Sequence, residues 1–230
     1  MKPRAIALHS GGLDSCVAAR LAMREAEIAL AITFDYGQRA AEREAEAALE
    51  FCRRFGIEHR TVELPWLAEL GSSALTHAER PLPVAAAETL DQGAKGRAEA
   101  VWVPNRNGLF VAIAASFAEG LGAERVIAGF NAEEAAAFPD NGAGFIEATD
   151  RALSLSTLKR VRLLCPARDM EKGEIAAEFV GLDLDPRAFW CCYDGGERHC
   201  GACESCARSI RAFRSAGAWD LVSERFMNDE

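Results

Sequence analysis

A chain of 230 residues is the size of one large domain, or of a domain with a small appendage. Half of it is hydrophobic and 27% is charged, ordinary globular proportions that exclude a mostly disordered chain. With 26 Lys and Arg against 35 Asp and Glu, the net charge of -9 disfavours bulk adhesion to nucleic acid or anionic membrane.

In chain order, Ala5 to Leu8 is a short apolar run that ends in Ser10-Gly11-Gly12. Leu13 to Met23 has apolar residues at helical spacing. Ile28 to Phe34 reads as a second strand, and Arg39 to Phe55 as an amphipathic helix closed by Gly56. His59 to Leu64 is a third strand. This alternation predicts an α/β fold with a doubly wound parallel sheet. Pro65 to Ala100 reads as irregular, and a stretch that long inside a compact domain is usually functional or mobile. Gly108 to Leu121 is apolar at nearly every position and predicts a buried helix. Arg125 to Gly129 is a fourth strand, Thr149 to Ser156 a helix, Val161 to Leu164 a fifth strand and Lys172 to Val180 a helix. A compositional break near Asp185-Pro186 divides residues 1–185 from a small terminal segment, 186–230, that holds most of the cysteines. No apolar run approaches the roughly 18 residues that span a bilayer, and no leader cleavage pattern follows Met1 to His9. A soluble, cytoplasmic protein is expected.

The sharpest local feature is Ser10-Gly11-Gly12-Leu13-Asp14-Ser15, placed after His9 between the first strand and the first helix. Glycines there let backbone N–H groups approach an anion, and a helix N-terminus adds dipole and unpaired donors. Ser10 and Ser15 add hydroxyls. Asp14 is the odd member, because a carboxylate repels phosphate. It fits if it caps the helix or holds a Mg²⁺ that bridges phosphates. A plain glycine turn does not account for the whole string, which is neither a dinucleotide fingerprint nor a Walker loop.

Of eight cysteines, five fall between Cys191 and Cys206. Cys192, Cys200, Cys203 and Cys206, with two steps of three residues, offer four thiolates to a closed structural Zn²⁺ site. An iron–sulfur cluster is the alternative. Cys191 and Cys192 point to opposite sides of an extended chain, so only one ligates readily, and His199 is an adjacent competitor. Arg198 and Arg208 stand near enough in sequence to offset the thiolate charge.

The SGGLDS string resembles the pyrophosphate loop (PP-loop) of the adenine nucleotide α-hydrolase superfamily, whose Rossmann-like members cleave ATP between the α and β phosphates. Over nearly its whole length the chain resembles the 7-cyano-7-deazaguanine synthase family of queuosine biosynthesis. The matching strings are SGGLDS at Ser10, FDYGQR at Phe34, VPNRN at Val103, FPD at Phe138 and CCYDGG through CGACESCARSIRAF. The resemblance implies a ligase that uses ATP and ammonia to turn 7-carboxy-7-deazaguanine into a nitrile, through an adenylated carboxylate and an amide. It implies AMP and pyrophosphate as products and a homodimer, while the acidic charge already disfavours a membrane or nucleic-acid partner. It places His9, Ser10, Gly11, Gly12, Leu13, Asp14 and Ser15 on ATP phosphates and Mg²⁺, and Phe34 and Asp35 on adenosine. Arg106 and Asn107 belong at the nucleotide or acceptor site, and Lys172 on the departing pyrophosphate, unless Lys172 is simply a solvated helix start. It favours Cys192 over Cys191, since Cys192 precedes Tyr193.

One segment departs from the family pattern. Glu134 replaces Asp, Ala137 replaces Gly, Phe138 replaces Tyr, Asn141 replaces Cys and Gly142 replaces Arg. Cys191 stands where the family has Ser. These changes open two alternatives: an enzyme that stops at the amide, or one that couples a related carboxylate to another amine. Transfer RNA thiolation and a non-catalytic nucleotide- or zinc-binding module are the remaining readings. Acidity and the metal-like cysteine spacing stand against the first, the intact SGGLDS string against the second.

Overall fold

The computed structural model describes residues 2–227. Five strands form one parallel sheet in the order β3-β2-β1-β4-β5: β1 Arg4–Leu8, β2 Glu27–Asp35, β3 His59–Glu63, β4 Arg125–Ile127 and β5 Arg162–Leu164. All five expected strands are present, and the doubly wound α/β reading holds. The two central strands are continuous apolar runs because helices cover both faces of the sheet.

Side chains alternate along β1. Ala5 and Ala7 face one core layer with helices α1 (Leu13–Ala22), α2 (Ala41–Phe55) and, from later in the chain, α7 (Lys172–Gly181) and α8 (Glu204–Ser215). Ile6 faces the opposite layer, filled by Val111 and Ala115 of α4 (Arg106–Leu121) and Ile146 of α6 (Ala143–Ser156). Small residues on the first face let α1 sit close to the sheet. In that layer Phe179, Phe189 and Phe213 pack edge-to-face or tilted, with centroids 5.5 to 5.8 Å apart. Each such pair contributes about 0.5–1.5 kcal/mol beyond its buried area. Phe189 and Phe213 lie beyond Asp185, so the terminal segment packs into the same core as α1 and α7.

Three stretches differ from expectation. Pro65 to Ala100 holds a 3₁₀ segment at Pro65–Leu70 and helix α3 at Ala94–Ala100, both too short to show periodicity. Helix α6 begins at Ala143, six residues before the predicted start. Gly142 is its N-cap, and Gly144 lies in its first turn. Two turns of α5 and 3₁₀ structure, Ala132–Ala135 and Pro139–Asn141, carry the departing segment across the carboxyl end of the sheet.

Candidate active site and metal centre

The strand order reverses between β1 and β4. In open parallel sheets the crevice beyond the carboxyl strand ends at such a point is the usual ligand site. A cavity of about 260 Å³ lies there, walled by the Ser10–Ser15 loop, Phe34, Arg106, Ala128 to Phe130, Glu134, Lys172 and the segment after Trp190.

The glycine loop turns into α1, where among the described residues the N–H groups of Leu13, Asp14 and Ser15 have no partner. Gly11 has φ +70°, and a Cβ there would stand 2.5 Å from the Glu44 carbonyl oxygen, so both conformation and space require glycine. Its own carbonyl accepts from the Trp190 N–H at 2.7 Å, which ties the terminal segment to the loop. Gly129, after β4, lies so near α1 that a Cβ would meet the Ser15 nitrogen at 2.9 Å. Ser15 Oγ donates to the Gly12 carbonyl at 2.9 Å, and the Gly12 N–H donates to Ser10 Oγ at 3.3 Å. His9 and Leu13 flank the loop and line the cavity. The His9 ring is buried against Phe51, neither nitrogen has a partner, and burial lowers its pKa to about 3.

Asp14 does not cap α1. Gly12 is the N-cap, and no side chain caps the helix. Instead Asp14 Oδ2 accepts from Lys172 Nζ at 2.5 Å, and Glu134 Oε1 accepts from the same nitrogen at 2.9 Å. Lys172 is therefore no solvated helix start. It is 7% exposed, and despite burial the two carboxylates hold its pKa above the ordinary value. One cation between two carboxylates leaves one negative charge in excess. Glu134 resists protonation: burial opposes its charge, but Lys172, Arg208 and Arg106 hold its pKa below the usual range. The excess falls on Asp14, whose carboxyl burial pushes up to about 6 against the pull of Lys172. Asp14 Oδ1 is buried without a partner. A buried, unpartnered carboxylate oxygen beside anion-binding amides fits a divalent cation such as Mg²⁺. Glu134, noted from sequence only as a departure, is part of this triad.

Arg106 and Asn107 open α4 at the far wall. Arg106 donates to the Tyr36 hydroxyl at 3.0 Å, and Asn107 Nδ2 donates weakly to the Asp140 carbonyl at 3.4 Å. Phe34 stacks on Phe110 with centroids 4.0 Å apart. Asp35 takes its neighbour's turn instead, accepting from the Gly37 N–H at 3.0 Å.

The cysteines converge as the spacing predicts. The Sγ atoms of Cys192, Cys200, Cys203 and Cys206 all lie within 4.8 Å of one another. A tetrahedral metal with bonds of about 2.3 Å needs sulfurs about 3.8 Å apart, and Cys200 and Cys206 stand at 3.9 Å. Cys203 is the N-cap of α8 and Cys206 lies one turn in, so one helix face presents both. N–H groups of Asp194 and Cys200 donate to Cys192 Sγ at 3.3 Å, a pattern suited to thiolate. This donor set can hold a metal ion. One expectation fails around it. Arg208 is engaged by Glu133 and Glu204, and Arg198 by the Phe226 carbonyl, so neither offsets the thiolates. Of the adjacent cysteines, Cys192 belongs to the four-sulfur group and Cys191 does not. Cys191 lines the cleft and meets His199 Nδ1 at 3.3 Å, yet its sulfur also stands within 4.8 Å of Cys206.

The profile of the family described as queuosine biosynthesis protein QueC matches residues 4–217. The chain belongs to this family. It is 44% identical over 227 residues to the 7-cyano-7-deazaguanine synthase of Methanosarcina mazei, covering 96% of this chain and 98% of that one. It is 49% identical over 215 residues to the 7-cyano-7-deazaguanine synthase of Desulforamulus reducens, covering 92% and 94%. The matched span of residues 4–217 includes the loop, the cleft residues and the cysteine segment. Among solved structures, NMN synthetase from Francisella tularensis superposes with a TM-score of 0.47 at 17% identity, over 95% of this chain and 83% of that one. A 4-thiouridine synthetase in complex with RNA and ATP gives 0.45 at 20% identity, over 81% and 42%. Among the described residues no helix is long and apolar enough to cross a membrane.

Proposed function

We propose that this chain converts 7-carboxy-7-deazaguanine and ammonia to 7-cyano-7-deazaguanine, with ATP cleaved to AMP and pyrophosphate. The observation that carries the reading is the meeting of Asp14, its Oδ1 free, and Lys172 at the mouth of an open glycine loop. The names and coverage of the relatives support the acceptor.

In this reading the N–H groups of Gly12 to Ser15 hold ATP phosphates, and the ends of β1 and β2, with Phe34 and Asp35, receive adenosine. Asp14 Oδ1 would hold a Mg²⁺, which would supply neutralisation of the phosphate charge. A carboxylate oxygen of the acceptor attacks the α-phosphorus, and the bond to pyrophosphate breaks. Lys172 stabilises the charge that develops on the departing group, a preorganised contribution typically worth a hundred- to a thousand-fold in rate. Arg106 faces the acceptor carboxylate. Ammonia then adds to the acyl carbon, AMP leaves and a proton is lost, giving the amide. The amide oxygen attacks a second ATP in the same way. Loss of AMP and of both amide protons leaves the nitrile.

The same reading assigns a structural Zn²⁺ to Cys192, Cys200, Cys203 and Cys206. It treats residues 1–185 as the ATP-binding part and 186–230 as the zinc-binding and helical part, acting as a cytoplasmic homodimer. Light scattering tests the dimer, and 24.8 kDa at working concentration contradicts it. Mass spectrometry of products from ATP, ammonia and 7-carboxy-7-deazaguanine tests the reaction. The expected product is the nitrile. Accumulation of the amide alone supports the shortened reaction, and no product refutes the acceptor.

A further inference from the structure

One carboxylate in the cleft is left unused by adenylation. Glu44, in the first turn of α2, lines the cavity together with Tyr36, Leu75 and Trp190. Gln38 Nε2 donates to Glu44 Oε2 at 2.8 Å. Gln38 is itself fixed, because it also donates to the Phe34 carbonyl and accepts from the Tyr36 N–H, both at 2.9 Å. The carboxylate plane is thus set by an amide anchored in the end of β2 before a ligand arrives. Among the described residues Oε1 has no hydrogen-bond partner, and it is not sealed from the cleft. Arg106, whose charge acts on Glu44 without a hydrogen bond to it, donates to the Tyr36 hydroxyl. Burial pushes the Glu44 carboxyl up to about 7, so it holds charge poorly until a donor meets it.

A fixed carboxylate between aromatic walls matches a flat ring that presents two parallel N–H groups. The guanine-type edge, a ring N–H beside an exocyclic amine, is such a group. An adenine edge is not, since its ring nitrogen turns a lone pair toward the carboxylate. Leu75 and Trp190, which line the same cleft, come from outside the strand–loop–helix unit that receives ATP, and the edge chemistry assigns Glu44 to the acceptor and not to adenine. We propose that Glu44, oriented by Gln38, reads the guanine-type edge of the acceptor and sets its specificity. This rests on the acceptor class proposed above.

The test is calorimetric binding, with no turnover required, on the full chain. The probes are 7-carboxy-7-deazaguanine and the analogue lacking its exocyclic amine. The wild type is expected to prefer the guanine form by about 10- to 100-fold. Glu44→Gln should lose that preference, with ATP affinity unchanged within about twofold. Gln38→Leu, a positioning change, should give a smaller loss in the same direction. Guanine-type binding and preference that survive Glu44→Gln, weakened ATP binding in its place, or no guanine-type binding by the wild type would each overturn the assignment. If product forms while Glu44→Gln binds normally, the reaction stands and the assignment falls. If Glu44-dependent binding occurs without product, the reverse holds.

Discussion

The glycine loop and the cysteine segment are both functional clusters, but they are held in opposite ways. The loop is carried by regular structure: β1 delivers it, α1 continues it, and its donors exist whether or not a ligand is present. The cysteine segment has little such support. Between Trp190 and Cys203 its backbone is pinned by scattered bonds, among them His199 to the Arg225 carbonyl and the Met227 N–H to the His199 carbonyl. Four sulfurs facing one another have no mutual attraction that would hold them there. The lesson is that one site is made by the fold, whereas the other needs its ion to be made.

The largest effect that can break this contrast is removal of a thiolate. Cys203→Ser should abolish zinc binding and raise amide exchange throughout residues 190–227, while exchange in β1 and α1 stays slow. Structural zinc sites tie metal affinity directly to local folding. Metal analysis with hydrogen exchange checks this, and equal loosening of both regions would erase the contrast. Asp14→Ala should act in the reverse sense. Turnover should fall by about a hundred- to a thousand-fold, with zinc content unchanged, as read by steady-state rates and metal analysis.

Smaller effects sharpen the account of the loop side. Lys172→Met leaves the Asp14 and Glu134 carboxylates without their shared cation, and should cost about 3 kcal/mol in urea unfolding. Adding Glu134→Gln should recover part of it. The smallest effect concerns His9, whose folded pKa of about 3 lies below its ordinary 6.5. The unfolded chain binds a proton that the folded one refuses, so this group's contribution is complete above pH 6.5 and is lost as pH falls. Between pH 7 and pH 5 the wild type should lose about 2 kcal/mol more stability than His9→Phe. Asp14 and Glu44, both raised, work in the opposite direction but equally in the two proteins.

Legibility in the sequence follows the same division. The loop and the cysteines were visible because their members are neighbours, so spacing alone implies convergence. The central strands β1 and β2 were visible because the sheet is buried on both faces there, and β3, an exposed edge strand, because it follows the helix stop at Gly56. The charge triad was not, since Lys172 and Asp14 lie 158 residues apart and Glu134 38 residues from Lys172. Glu134 registered only as a change from a family pattern, though it remains a carboxylate in the cleft. Glu44 fell inside an amphipathic helix pattern in which a glutamate reads as solvated surface, and Gln38 was read only as a member of the FDYGQR string. Arg198 and Arg208 were misplaced for the opposite reason: proximity in sequence to the cysteines hid the carbonyl and carboxylates that engage them.

The central claim is that an acceptor oxygen attacks the α-phosphorus of ATP at this loop. Acceptor labelled with ¹⁸O in both carboxylate oxygens tests it most directly. Each activation should transfer one label, so each nitrile formed should be accompanied by two AMP molecules bearing one ¹⁸O apiece, and pyrophosphate should stay unlabelled. Unlabelled AMP, or label recovered in ADP-linked inorganic phosphate, would contradict the account.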